Sequence, residues 1–154
     1  FPNKNGKEIP LGTLVMLDSD GVNIANGDNV IGIVSATAGV ALGDTPFHWQ
    51  GRYLRSEFGE ILYDEIVNEE NELIKVPREN PDYDPNENQV PRSQRKDEWT
   101  LVGLIGQVYV RVDENVQVGD FLTASDGIGV KSDTKTNLRV LKKTSENVAY
   151  CFIK

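Results

Sequence analysis

One cysteine, one histidine and one methionine are all that 154 residues contain of those three types. Cys151 has no second cysteine to pair with, so an internal disulfide is excluded. His48 alone cannot build a multi-histidine metal site, and any imidazole-dependent catalysis would have to use it. No metal is expected: Asp18-Ser19-Asp20-Gly21 is the nearest approach to a calcium loop and lacks the distal bidentate Glu. No apolar run approaches the roughly 20 residues of a membrane-spanning helix, so no membrane partner is expected. Positive charge is also short, 16 basic against 24 acidic side chains and a net charge of −8. A phosphate backbone requires a basic face, so no nucleic-acid partner is expected either. Glycine-rich phosphate loops of the Walker or dinucleotide kind are missing.

Helix signals are nearly absent, because no window carries an i, i+3, i+4, i+7 apolar stripe between capping residues. Short strand-like runs bounded by Gly, Asn, Asp or Pro take their place. They include Leu14–Leu17, Val30–Ser35, Gly51–Leu54, Ile61–Tyr63, Leu101–Val112, Gly119–Thr123, Arg139–Leu141 and Val148–Ile153. Ser19-Asp20-Gly21-Val22 and Ser125-Asp126-Gly127-Ile128 are matching turn strings at opposite ends of the chain, each between two such runs. They read as two hairpins, either an internal echo or convergent turn chemistry. A 38% hydrophobic content at this length fits one domain. The expectation is a single all-β domain over 1–154, barrel- or sandwich-like and built of short strands.

Asn68 to Glu98 differs from the rest: it is rich in Asn, Glu, Asp, Pro and Arg, with prolines at 77, 81, 85 and 91. Structureless loops of this length are uncommon in compact domains, so 68–98 is expected to be an ordered polar arm against a neighbouring subunit. Tyr83, and Trp99 just beyond its end, would anchor it. Phe1 stands first with no initiator methionine, basic leader or apolar signal ahead of it, and Met16 lies inside a strand-like run. The chain is therefore expected to be a C-terminal piece of a longer polypeptide.

The densest aromatic and cationic stretch is His48-Trp49-Gln50-Gly51-Arg52-Tyr53, with Phe47 and Arg55 beside it. As a ligand platform, Trp49 and Tyr53 would offer flat surface, and Arg52 and Arg55 charge for a phosphate or carboxylate. As a plain strand, alternate residues would enter the core and Arg52 would be solvated. Glu57 with Glu60, Asp64 with Glu65, and Asp82 with Asp84 are carboxylate pairs. Acid–base hydrolysis by such a pair requires burial or coupling that raises one pKa. Cys151, in an apolar terminal run, reads as a buried structural thiol rather than a nucleophile.

Several strings, taken in order, resemble the peptidase G2 family. They are Ile31–Ala36, Trp49–Tyr53, Glu57–Ile61, Asn80–Pro85, Val90–Arg95, Val102–Gly106, Arg139–Lys143 and Val148–Lys154. This is the autoproteolytic, intramolecular-chaperone domain at the C-terminus of phage tail spikes and pre-neck appendage proteins. The resemblance implies a trimeric β-rich domain that promotes homotrimer assembly of the upstream spike or fibre and then cuts itself off. It implies cleavage by acids in an Asp-Tyr-Ala-Glu-like stretch. Such a stretch is missing here, so the catalytic acids are expected upstream of Phe1 and none is assigned in this chain. No cofactor is required; ATP is implied by resemblance, with Trp49, Arg52, Tyr53 and Arg55 as its candidate site. Trp49, Tyr83 and Trp99 are the candidate trimer contacts. Localisation would be the host cytoplasm during virion assembly, or the virion tail if the domain is not released. The rival reading is a non-catalytic trimeric tip module, retained on the fibre and binding a host-surface glycan through exposed aromatics.

Overall fold

The structure is a computed structural model that describes residues 1–87 and 89–154. Its strands are β1 (Leu14–Asp18), β2 (Gly21–Ile24), β3 (Gly32–Val34), β4 (Tyr63–Val67), β5 (Leu73–Pro77) and β6 (Val102–Gly103). They continue as β7 (Gly106–Arg111), β8 (Leu122–Ser125), β9 (Ile128–Lys131), β10 (Leu138–Ser145) and β11 (Val148–Ile153). One short 3-10 turn, Arg92–Gln94, is the sole helical element among the described residues. The chain divides into two compact units, Phe1–Asp44 with Pro91–Lys154, and Thr45–Val90.

In the first unit, β11 lies between β10 and β7, and every second residue of it, Ala149, Cys151 and Ile153, is buried. Cys151 pairs with Val140 on one side and Val108 on the other. This period-two burial fills the larger core, to which β1, β3, β7, β8, β10 and β11 all contribute. Each Leu, Ile or Val so buried contributes about 1.5–3 kcal/mol, against about 0–1 for an exposed ion pair, so this core dominates the unit's stability.

Turn chemistry sets the registers. The β8–β9 hairpin turns on Asp126 and Gly127, both left-handed at φ 48 and 76, as a type I′ turn requires. A Cβ at Gly127 would also fall 2.5 Å from Thr13 Cγ2, so this position excludes a side chain twice over. The first hairpin, from the same Ser-Asp-Gly string, turns one residue earlier, on Ser19 and Asp20, with Ser19 at φ 56. The two strings are alike in sequence and shifted in register.

A second sheet runs β2-β1-β3-β6 over a smaller core of Ile9, Val15, Val22 and Val34. Residues Phe1–Lys4 lie between β2 and the stretch that leads into β6. Pro2 bridges antiparallel to Trp99, in the stretch that leads into β6, and Asn3 bridges parallel to Val22 of β2. The leading residues thus join β2 to residues 98–100, the stretch just before β6, while β6 itself pairs with β3 alone.

The second unit, Thr45–Val90, is built differently. β4 and β5 form a hairpin whose loop is ordered by Asn68, its Oδ1 accepting the amides of Glu70 and Glu72 at 3.0 and 2.8 Å. None of this unit's described residues is buried. Two sequence expectations are corrected here. The polar arm over 68–98 is not one loop: it contains β5, whose Leu73-Ile74-Lys75-Val76 run pairs with β4, and its last residues, including Arg92–Gln94, belong to the first unit. Gly51–Leu54 is not a strand, because Gly51 at φ 85 turns the chain, leaving isolated bridges from Tyr53 to Glu79 and Arg55 to Ile61.

Candidate functional site

The leading residues are held by main-chain bonds on both sides. Thr100 N donates to Phe1 O at 2.9 Å, Phe1 N to Thr100 O at 3.0 Å, and Asn3 N to Glu98 O at 2.7 Å. On the opposite side Val22 N donates to Pro2 O at 2.8 Å and Lys4 N to Val22 O at 2.9 Å. Lys4 also pairs with Asp20, and that hydrogen bond holds the Asp20 carboxyl below its usual range. Glycine at 21 admits this segment, since a Cβ there would lie 2.6 Å from Pro2 O. The course of Phe1–Lys4 is therefore fixed by main-chain bonds to two other stretches of the first unit.

Trp99 follows directly in the same stretch. It is half-buried beneath two guanidinium groups, Arg92 at 4.1 Å and Arg95 at 5.9 Å from the ring centroid. Arg92 Nη1 donates to Gly43 O at 2.6 Å, and the Asp44 carboxylate accepts Ser93 N at 2.7 Å and Ser93 Oγ at 3.0 Å. Asp44 and Pro91 bound the second unit in sequence, so these bonds tie the two stretches of the first unit together where the chain leaves and returns. Trp99 is a structural anchor of that tie.

Trp49, Arg52, Tyr53, Arg55 and Tyr83 all lie in the second unit. Trp49 stacks flat on Phe47, centroids 5.3 Å apart, and stays 48% exposed. Arg52 lies over Tyr53 at 5.2 Å and ion-pairs with Glu79 at 3.2 Å. Arg55 Nη1 donates to Gly59 O at 2.5 Å. Tyr83 OH donates to His48 O, and Asn80 Nδ2 to Gly51 O at 2.9 Å. Each guanidinium already has a partner within the unit, so an anion binding there would compete with Glu79 or with a carbonyl.

The carboxylate pairs are all exposed: Glu57 with Glu60, Asp64 with Glu65, and Asp82 with Asp84. Asp64 is bound to Arg78 at 2.7 Å and Asp84 accepts the Asn86 amide at 2.8 Å. None occupies the buried setting that keeps one carboxyl protonated beside an ionised one. Cys151 is fully buried, and burial pushes its thiol up to about 12, the opposite of an activated nucleophile. Among the described residues no group of three His, Cys, Asp or Glu is placed to hold a metal.

The arrangement sequence reasoning missed is the pairing of Phe1–Lys4 with Glu98–Thr100. Its only local signal is the gap between Pro2 and the first strand-like run, since the partners lie about a hundred residues away.

Together these features describe an all-β domain whose residues Phe1–Lys4 are held to it by main-chain bonds on two sides. The chain belongs to the Peptidase_G2 family, the IMC autoproteolytic cleavage domain, which matches residues 1–150. It is 46% identical over 149 residues to the putative phage-related protein YobO of Bacillus subtilis, covering 94% of this chain and 18% of that protein. It is 43% identical over 134 residues to the pre-neck appendage protein of Bacillus phage phi29, covering 86% of this chain and 16% of that protein. The chain thus spans less than a fifth of these curated relatives. The crystal structure of the phi29 gene product 12 C-terminal fragment superposes with a TM-score of 0.77 at 38% identity, covering 100% of this chain and 99% of that one. The pre-mature phi29 gene product 12 gives 0.75 at 38% identity, covering 100% of this chain and 21% of that one. The family carries self-cleavage as its activity.

Proposed function

We propose that this chain is the C-terminal intramolecular-chaperone domain of a phage tail appendage, assembling it as a homotrimer and leaving it by self-cleavage. The observation that carries the assembly role is the second unit. Thr45–Val90 has no buried residue among those described, and its hairpin exposes Ile66, Val67, Leu73 and Ile74. A two-stranded hairpin is marginal in water by itself, so copies of the chain supply the missing cover. Phage appendages are named among the relatives, and a long appendage of non-local β contacts folds slowly and requires three chains in register. A compact trimer at one end raises the local concentration of the attached chains and aligns them.

Cleavage then makes assembly irreversible. The bond cut lies upstream of Phe1 and the acids that cut it are upstream too, in keeping with the exposure of the carboxylate pairs Glu57–Glu60, Asp64–Glu65 and Asp82–Asp84. Trp49 contributes to the subunit contacts, whereas Tyr83 and Trp99 act by shaping their own units. A nucleotide, if used, would stack on Trp49 and draw Arg52 from Glu79. The domain is virus-associated, made and cut in the host cytoplasm. Native mass spectrometry of the chain with its upstream residues tests the reading: three copies before cleavage are expected. A monomer at micromolar concentration would remove the assembly role, whereas a trimer that stays uncut would favour a retained trimeric tip module displaying Phe47 and Trp49.

A further inference from the structure

The stretch that pairs with Phe1–Asn3 runs on past Thr100 into β6. Phe1 and Thr100 exchange hydrogen bonds, Pro2 faces Trp99, and the numbers of each pair sum to the same value. Continuing that register, the residue immediately before Phe1 faces Leu101, and the one before that faces Val102.

Val102 belongs to β6, the last strand of its sheet, paired with β3 alone. Ser35 N donates to Leu101 O at 3.0 Å, and Gly103 pairs with Ile33. In antiparallel pairing the groups alternate in direction, so Val102 turns its N–H and C=O away from β3, toward the side where Phe1 lies. That side is an open cleft of about 540 Å³, lined by Phe1, Thr37, Val40, Leu42, Leu104 and Ile105 among others. Its aliphatic wall is exposed, Leu42 at 90% and Ile105 at 76%. Thr100, only 6% exposed, lines the same cleft with a buried Oγ1 that has no hydrogen-bond partner.

We propose that the two or three residues immediately upstream of Phe1 add to the free edge of β6 as an antiparallel strand, seated in this cleft. The inference rests on the proposed upstream polypeptide; the match covering only 21% of pre-mature gene product 12 shows how much chain can lie outside such a domain. Edge addition of this kind takes its affinity from main-chain bonds and its selectivity from side-chain pockets, here the aliphatic wall. The chain just before Phe1 is thereby stretched out and fixed in register on a folded surface, and the domain's own folding becomes the condition for presenting that stretch to cleavage.

The test uses the full-length chain with a cysteine immediately before Phe1 and Leu101→Cys. These positions form a directly facing, non-hydrogen-bonded pair, whose close Cα spacing suits a disulfide; buried Cys151 stays out of the reaction. A disulfide is expected with Leu101→Cys and none with Leu104→Cys. Hydrogen exchange needs no substitution: the Val102 amide, which faces the added strand, should exchange at least about tenfold more slowly in the full-length chain than in the chain beginning at Phe1, while Leu101 and Gly103, already turned toward β3, change little. Equal exchange and no cross-link would overturn the proposal. Cross-linking in a chain that never cuts itself would keep the strand and remove self-cleavage, and cutting without either signal would do the reverse.

Discussion

Pro2 and Gly21 approach so closely that a methyl group on Gly21 would lie 2.6 Å from the Pro2 carbonyl oxygen. The same oxygen accepts the Val22 amide at 2.8 Å. The leading residues are thus fitted against β2, and the fit depends on a missing side chain.

Gly21→Ala should therefore destabilise the domain by ~1–3 kcal/mol through overpacking. Amide exchange at Asn3 and Lys4 should rise more than exchange in β11. Urea unfolding combined with residue-level exchange checks both; uniform loosening would show that the contact is not local.

Asp44 joins the two stretches of the first unit through Ser93 and sits beside Arg92, itself stacked on Trp99. Asp44→Ala should cost about 1–2 kcal/mol, the range for hydrogen bonds to a charged group at a half-exposed site. Trp99 fluorescence should shift to longer wavelength as its cover loosens. An unchanged emission and melting temperature would count against the tie.

Burial raises the Cys151 thiol from 9.0 to about 12. A raised folded-state pKa stabilises below the unfolded value and loses that contribution as pH rises toward the folded one. Stability should fall between about pH 9 and 12, and Cys151→Ala should flatten that slope while lowering stability overall by opening a cavity. The native thiol should not react with an aromatic disulfide reagent until the chain unfolds.

On the acid side Asp120 and Asp113 are held below the ordinary 3.8, Asp120 by the Gln117 amide and then Lys131, and Asp113 by the Asn115 amide and side chain. Depressed carboxyls contribute above the unfolded pKa and lose that contribution as pH falls through the folded one. Stability should decline below about pH 4, and Asp120→Asn should weaken that decline. Chemical denaturation at several pH values measures the slope.

Much of the fold was legible in the alternation of Val148–Ile153, in the turn strings at Asp126-Gly127 and Ser19-Asp20, and in the absence of helical stripes. The β4–β5 hairpin was hidden because Leu73–Val76 sits among Asn, Glu and Pro, and its own faces are exposed rather than patterned for a core. Gly51–Leu54 looked like a strand because it carries Tyr53 and Leu54, but Gly51 bends the chain. The candidate site was legible only as family strings: the pairing of Phe1 with Thr100 joins residues far apart, and such register is set by tertiary closure, not by local pattern.

Ile66→Asp and Leu73→Asp test the subunit surface. Both side chains are exposed in the single chain, so neither substitution should lower the stability of the first unit by more than about 0.5 kcal/mol. If copies cover this hairpin, each should shift the trimer toward monomer by tenfold or more in analytical ultracentrifugation, because a buried unpaired carboxylate is costly.

The proposed function has this domain assemble as a trimer and then sever itself from the chain that precedes it. Intact mass followed over time after refolding the chain with its upstream residues tests it most directly. Two fragments are expected, divided shortly before Phe1, with three copies of this domain associated and cleavage lost when the upstream acids are replaced by amides. A single uncut chain at every time point, trimeric or not, would contradict it.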